Sequence, residues 1–424
     1  MSGAKGVVCL MILVVLSRVA KDVRGQSGSL FAQTYRDLFL RAQRMTGNLV
    51  IQYPPMEADD RKQKNYPKSV PFMCANQTAE GRSKVRPTSV HRLRPGDIDV
   101  IGAIGDSLIA GNGAMEDWAL GTMIEYRGIS WCAGGQESWR TYLTVPNIIK
   151  EFNPKLTGYS TGTGELLSAH SRFNVAFPVS ADADALRQAK ILVKRMKQDR
   201  SVDFKNDWKM VTVFFGANDL CSAQCFDREQ ASPPQHARKL MLALDYFRDN
   251  LPRTFVNLIP VIDATVSVRV KRSMMCRLVH TLFCTCFHQG GTEDPMTIIM
   301  QLARKYQKVE EQLALDGRYE KKEDFAVVLQ PFMKLFNAQT DPAHRYDEVI
   351  DISYITHDCF HFSQKGHALG ANMLWNNMLE PVGNKSEKRL NYVLEKFKCP
   401  TQEAPFLFTR KNSEMYLRTG RQWY

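Results

Sequence analysis

An α/β chain with a parallel sheet covered by helices on both faces is what this 424-residue sequence predicts, on three observations. Short apolar or β-branched runs recur along the middle of the chain, each bounded by polar or turn residues. Stretches with helical apolar spacing lie between them, the alternation that builds parallel sheets. The first run leads directly into Gly105-Asp106-Ser107-Leu108. That sequence reads as a strand-to-helix turn carrying a hydroxyl at the carboxyl end of a strand, where open α/β sheets bind ligands.

At the amino end, Lys5 precedes an apolar run over 7–16 that is too short to span a bilayer comfortably. Residues 1–25 therefore read as a signal peptide, with cleavage expected between Gly25 and Gln26 after the small residues Val23 and Gly25. Residues 26–95 are polar and proline-spotted, with one helical stretch near 30–44, and are expected to wrap the core as an extension. Strands are predicted over 98–104, 173–177, 211–215, 255–261 and 325–329. Helices are predicted over 184–198, 234–250, 297–315 and 364–379. The second of these carries Leu240, Leu244 and Phe247 on one face with Pro252 just past its end. The last is expected to pack behind a loop through Leu369, Met373 and Leu374. Residues 384–424 are basic and aromatic without periodicity and read as a tail. The chain has no internal repeat, so 96–383 is expected to form one unit.

Three blocks carry chemistry. In the first, Gly105 permits a sharp turn and Ser107 would expose its hydroxyl at a helix mouth; a plain turn capped by Asp106 or Ser107 is the bland alternative. In the second, Gly216-Ala-Asn218-Asp219 follows an apolar run, and an Asn amide at a strand end can donate toward a developing oxyanion. In the third, Asp358-Cys-Phe-His361 sets a carboxylate and an imidazole three residues apart. His361 can act as general base toward Ser107 while Asp358 fixes its tautomer. Taken singly, the last two blocks could be a helix cap and a local hydrogen-bonded pair.

Together, and in this order, they resemble the SGNH, or GDSL, lipases and esterases. Tyr126-Arg-Gly-Ile-Ser-Trp131, Ser160-Thr-Gly-Thr-Gly164, Gly216-Ala-Asn-Asp-Leu-Cys221 and Asp358-Cys-Phe-His-Phe-Ser363 are similar to the phospholipase B branch of that family. The resemblance implies a three-layer, flavodoxin-like fold and a secreted serine esterase acting on phospholipids or lysophospholipids through an acyl-enzyme. It implies Ser107, Asp358 and His361 as the triad, with the Ser107 N–H and the Asn218 side chain as oxyanion donors. It also implies no metal or organic cofactor. One position departs from the pattern. The family's second block places a glycine five residues after its Asn, and here Asn174 is followed by Val179. Its N–H is a third oxyanion donor only if a bulky residue tolerates the place of a glycine. Gly134 and Gly135 are other available glycines. A lipid-binding protein without turnover, or an esterase of small or carbohydrate-borne acyl groups, are the alternative readings.

Nine cysteines follow the leader, an odd number, so at least one thiol lacks an intrachain partner. Cys221 and Cys225 sit four apart and are candidates to close a small loop. A zinc site at Cys276, Cys284, Cys286 with His280 or His288 is the competing reading, at a spacing that matches no usual ligand pattern. Asn76-Gln-Thr78 and Asn384-Lys-Ser386 are glycosylation sequons. The formal charge of +12 drops to about +9 without the first 25 residues, which carry a net +3. The basic residues are scattered rather than blocked, which argues against nucleic acid; peripheral contact with an anionic membrane surface and a plain solvated charged face are the two readings. A monomer is expected. His357 and His367 are expected as solvated or helix-capping residues, and Met274, Met275, Phe283 and Phe287 as core or acyl-entrance residues.

Overall fold

The structure, a computed structural model, describes residues 60–423 other than 78–80, 118, 271–275, 277–279, 281–283, 290–292, 340, 342–343 and 345–350. The leader over 1–25, most of the amino-terminal extension including the helical stretch near 30–44, and Met274, Met275 and Phe283 lie outside the described residues.

Four strands form one parallel sheet in the order β1-β2-β3-β4: β1 (Ile98–Gly105), β2 (Trp208–Phe214), β3 (Thr254–Leu258) and β4 (Phe325–Leu329). All are buried, as the near-continuous apolar runs require. The run over 173–177 does not become a regular strand. It lies along the free edge of β1 through Ala103 N–H to Phe173 O at 3.0 Å, Val175 N–H to Ala103 O at 3.0 Å and Phe177 N–H to Gly105 O at 3.1 Å. Counting that edge, β1 is second in the sheet, the flavodoxin-like order. Trp208, Lys209 and Met210 extend β2 backward past the predicted start. Lys209 is wholly buried there, because its ammonium is caged by the carbonyls of Asp207 and Pro252, each at 2.9 Å, and of Phe204. Pro260 helps to end β3 earlier than predicted, since it has no N–H to give the ladder.

The helices are α1 (Ser107–Ala110), α2 (Val145–Lys150), α3 (Ala185–Gln198), α4 (Pro233–Asn250), α5 (Val266–Arg269), α6 (Pro295–Leu315), α7 (Gln364–Met378) and α8 (Arg410–Thr419). Period-two alternation along the strands sorts the core into two layers. Val100, Ile104, Val211, Val213, Val256 and Leu258 face α3 and α4 through Leu192, Val193, Leu240, Leu244 and Phe247. On the other face Ile101, Met210, Phe214, Phe255 and Val328 pack with Trp131, Leu374 and Trp375 of the α2 and α7 side. Among the described residues no helix is long and apolar enough to cross a membrane.

The carboxyl-terminal stretch, expected as a tail, packs on the core. Cys399 is bonded to Cys74, Leu407 N–H donates to Leu93 O at 2.8 Å, and α8 follows a Thr409 cap whose hydroxyl lies 2.8 Å from His91. Polar capping and one long-range disulfide hold this segment, and neither leaves an apolar period to read.

The Cys221–Cys225 pairing is corrected: Cys221 bonds Cys284 and Cys225 bonds Cys286. Residues four apart on a helical turn send their Cβ atoms to one side about 5–6 Å apart, too far for the ~3.8 Å a bridge needs. Each therefore takes a partner across the gap, and the paired segments enclose a third apolar cluster with α6 residues Ile299, Ala303 and Tyr306, which Phe287 joins. A fourth bridge joins Cys276 to Cys359, leaving Cys132 buried as the free thiol among the described residues. Those four bridges consume the cysteines of the zinc reading. The sequon residues Asn76 and Asn384 are both exposed.

Candidate active site

β1 delivers the first block. Gly105 is needed for close approach, since a Cβ there would stand 2.5 Å from Phe214 O. Asp106 caps α1 by accepting Leu108 N–H at 2.9 Å, which leaves Ser107 as the first helical residue. So short a helix leaves orphan carbonyls at its end, and three side chains take them. Trp131 Nε1 donates to Leu108 O at 3.0 Å, while Ser130 Oγ and Asn174 Nδ2 donate to Ile109 O at 2.6 and 3.1 Å. Gln188 of α3 grips the turn from beneath, accepting Gly105 N–H at 2.9 Å and donating to Gly105 O at 2.8 Å and Ser180 Oγ at 2.9 Å.

The loop before α7 brings the third block to the same point. His361 Nε2 lies 2.7 Å from Ser107 Oγ, and His361 Nδ1 lies 2.5 Å from Asp358 Oδ2. The other Asp358 oxygen accepts Phe360 N–H at 2.9 Å, His361 N–H at 3.1 Å and the Thr356 hydroxyl. Burial alone would raise this carboxyl; the charge and hydrogen bond of His361, with the Thr356 and Phe360 donors, outweigh it and hold Asp358 well below the carboxylate range. Thr122 Oγ1 stands 3.0 Å from His361 Nδ1, a second acceptor on the same N–H. Ser107 is 6% exposed and Asp358 1%, so the pair chemistry is shielded while the serine keeps an opening.

The second block arrives at the end of β2. Gly216 has φ +113, and a Cβ there would meet Val261 at 2.7 Å and His236 Cε1 at 3.3 Å. The Asn218 amide donates to Ser180 O at 2.9 Å, fixing its plane and leaving its second N–H available. Val179 stands in the left-handed region at φ +58, the conformation a β-branched residue adopts at greatest cost. The N–H groups of Ser107 and Val179 have no acceptor among the described residues. Gly134 and Gly135 do have one, donating to Ser130 O and Ser160 O at 2.8 Å each, which removes them as oxyanion donors. His367 is neither solvated nor a cap. It is buried in α7, faces Trp131 N–H at 3.3 Å, and is pushed down to about 3 by burial and by the charge of His361.

Several supporting residues were not legible in the sequence. Arg127 is fully buried and donates to Asn174 O at 2.9 Å, Ala176 O at 2.8 Å and Gly164 O at 2.8 Å while pairing with Glu125. It sits inside the Tyr126–Trp131 block, which the resemblance singled out without a role. Among the described residues no cluster of His, Cys, Asp and Glu is arranged to hold a metal.

A parallel α/β sheet with a strand-to-helix serine turn at its carboxyl edge defines an ester-hydrolase architecture. The chain belongs to the GDSL-like Lipase/Acylhydrolase family, whose model matches residues 101–374. It is 41% identical over 356 residues to mouse "Phospholipase B1, membrane-associated", covering 81% of this chain and 23% of that protein. The human protein of the same name is 41% identical over 336 residues, covering 77% of this chain and 22% of its own. This chain thus spans about a quarter of the length of these curated relatives.

Proposed function

We propose that this chain is a secreted serine esterase that hydrolyses acyl ester bonds of phospholipids and lysophospholipids. The observation that carries the reading is the unbroken line of contacts from Ser107 Oγ to His361 at 2.7 Å and on to Asp358 at 2.5 Å. In this mechanism His361 Nε2 takes the Ser107 proton as Oγ attacks the ester carbonyl, and Asp358 orients the ring and stabilises the imidazolium. The tetrahedral oxyanion is received by Ser107 N–H and the Asn218 amide, with Val179 N–H as third donor. His361 then protonates the leaving alcohol, and water activated by the same ring releases the fatty acid. The chemistry needs no cofactor.

The lipid substrate is supported by the phospholipase B1 relatives. Secretion is supported by four disulfides, which persist in oxidising compartments, and by the exposed sequon residues. A monomer that meets an anionic lipid surface through its excess of basic residues completes the reading.

The test is release of fatty acid from phosphatidylcholine and lysophosphatidylcholine micelles beside p-nitrophenyl acetate and an acetylated oligosaccharide, each against Ser107→Ala. Serine-dependent release from the lipids supports the proposal. Turnover of the acetyl esters alone replaces the substrate class, and binding to micelles with no turnover of any ester makes the chain a lipid-binding protein.

A further inference from the structure

A second histidine–carboxylate system lies behind the oxyanion side of the site, on residues outside the triad. His236 of α4 is wholly buried, with Nδ1 3.0 Å from Asp182 Oδ2 and Nε2 3.2 Å from Glu310 Oε1 of α6. A carboxylate at each ring nitrogen requires both to donate, which only the imidazolium does. Burial pulls that imidazole down, and the hydrogen bonds and charges of Asp182 and Glu310 more than offset it, holding it up near about 9. Tyr306 stacks on the ring at 4.0 Å and 11° and is tied to Ala231 O at 2.6 Å.

Each end of this system is anchored to a different part of the site. Glu310 accepts Val261 N–H at 2.9 Å, just beyond β3. Asp182 also takes the Lys239 ammonium at 2.8 Å and gives its own N–H to Asp219 Oδ2 at 3.0 Å. Burial, and after it the charge of Asp182, pushes the Asp219 carboxyl well above the usual carboxylate range. Its chain neighbour is Asn218, whose amide holds Ser180 O, and Ser180 lies between Val179 and Asp182 in sequence. The short segment that begins at Val179 is thus held at two points, at Ser180 by Asn218 and at Asp182 by His236.

We infer that His236 is a positioning residue that holds the 179–182 segment against Asn218 and so fixes the oxyanion donors. The inference rests on the esterase reading above. A neutral residue in its place removes the cation that Asp182 and Glu310 share, and Asp182, left with Lys239 as its only cation, turns toward that ammonium and carries the segment with it. Nothing on this route touches His361 or Asp358, so proton transfer is expected to keep its pH dependence.

The test is a double-mutant cycle of His236→Asn with Asn218→Ala, on a soluble ester whose wild-type turnover and Ser107→Ala loss have first been measured. That first measurement decides the esterase reading by itself. His236→Asn is then expected to lower kcat about tenfold with KM and the acid limb of the pH profile unchanged, and by less than about twofold when Asn218→Ala is already present. Weaker inhibition by a trifluoromethyl ketone, whose adduct places an oxyanion in the same pocket, is expected in proportion. An equal loss in both backgrounds, or no loss, overturns the inference and leaves His236 a structural ion pair. If His236→Asn does not fold, Lys239→Met enters the same cycle and is judged by the same rule.

Discussion

Asp358 and His361 meet at 2.5 Å within a single turn of chain, and Cys359 between them sits at φ +61 with its sulfur bonded to Cys276. The carboxylate that orients the imidazole also accepts the backbone N–H groups of Phe360 and His361, so the loop holds its shape through the same side chain that does the orienting. In the proposed mechanism such a group is set before substrate arrives and needs no reorganisation during the reaction.

Asp358→Asn therefore removes two things at once. The amide must aim its NH2 either at the imidazole N–H or at the loop donors, and either choice sets donor against donor. The expected loss is on the order of 10⁴ in kcat, the scale seen when a triad Asp is made neutral elsewhere. Steady-state rates on p-nitrophenyl butyrate check it, with KM expected to change little.

The disulfides separate stability from catalysis. Cys74–Cys399 spans 325 residues and Cys276–Cys359 spans 83. In the chain-entropy view, losing either costs roughly 2–5 kcal/mol, with the longer loop costing more. Only the second holds the loop of Asp358 and His361. Paired Cys276→Ser and Cys359→Ser is expected to lower kcat at 20 °C, whereas paired Cys74→Ser and Cys399→Ser lowers the melting temperature more and leaves kcat near wild type. Thermal melts and rates on the two variants decide it.

Val179 stores backbone energy beside the site. At φ +58 a β-branched residue carries strain of about 1–3 kcal/mol, part of which a glycine would return in lost backbone entropy. Val179→Gly is expected to stabilise the fold by about 1 kcal/mol and to raise kcat or leave it unchanged. A fall in kcat with a rise in stability would show that the valine side chain itself serves turnover.

Asp106 supplies a pH signature. Burial raises its carboxyl, the Leu108 N–H and His361 oppose this, and the balance is about 7. The folded chain then binds a proton that the unfolded chain releases near the ordinary carboxylate value of 3.8. Stability from this group is present below that value and is lost as pH rises toward 7. Asp106→Asn, which keeps the cap on Leu108 N–H, is expected to match wild type in melting temperature at pH 4 and to exceed it at pH 8.

The alternating architecture was legible because β1, β2, β3 and β4 are buried on both faces and α3, α4 and α6 have strong apolar periods. The Ser107–His361–Asp358 contact was legible because the three residues fall in short ordered blocks. Other parts were hidden for physical reasons. Gln188 and His236 look like any polar residue on an amphipathic helix, since their partners Gly105, Asp182 and Glu310 are 54 to 83 residues away. The cysteine pairing depends on how a turn aims its Cβ atoms, which spacing alone does not convey. His367 looked solvated because its burial is set by Trp131, 236 residues distant.

The central claim is that Ser107 is a nucleophile activated by His361. Its most direct test is intact-mass analysis of the purified protein after brief exposure to an alkyl fluorophosphonate, with Ser107→Ala and His361→Ala in parallel. One adduct per chain on wild type, mapped to the peptide containing Ser107, absent from Ser107→Ala and strongly slowed in His361→Ala, is the predicted result. An adduct that persists in Ser107→Ala, or a wild-type protein that takes up none, would contradict it.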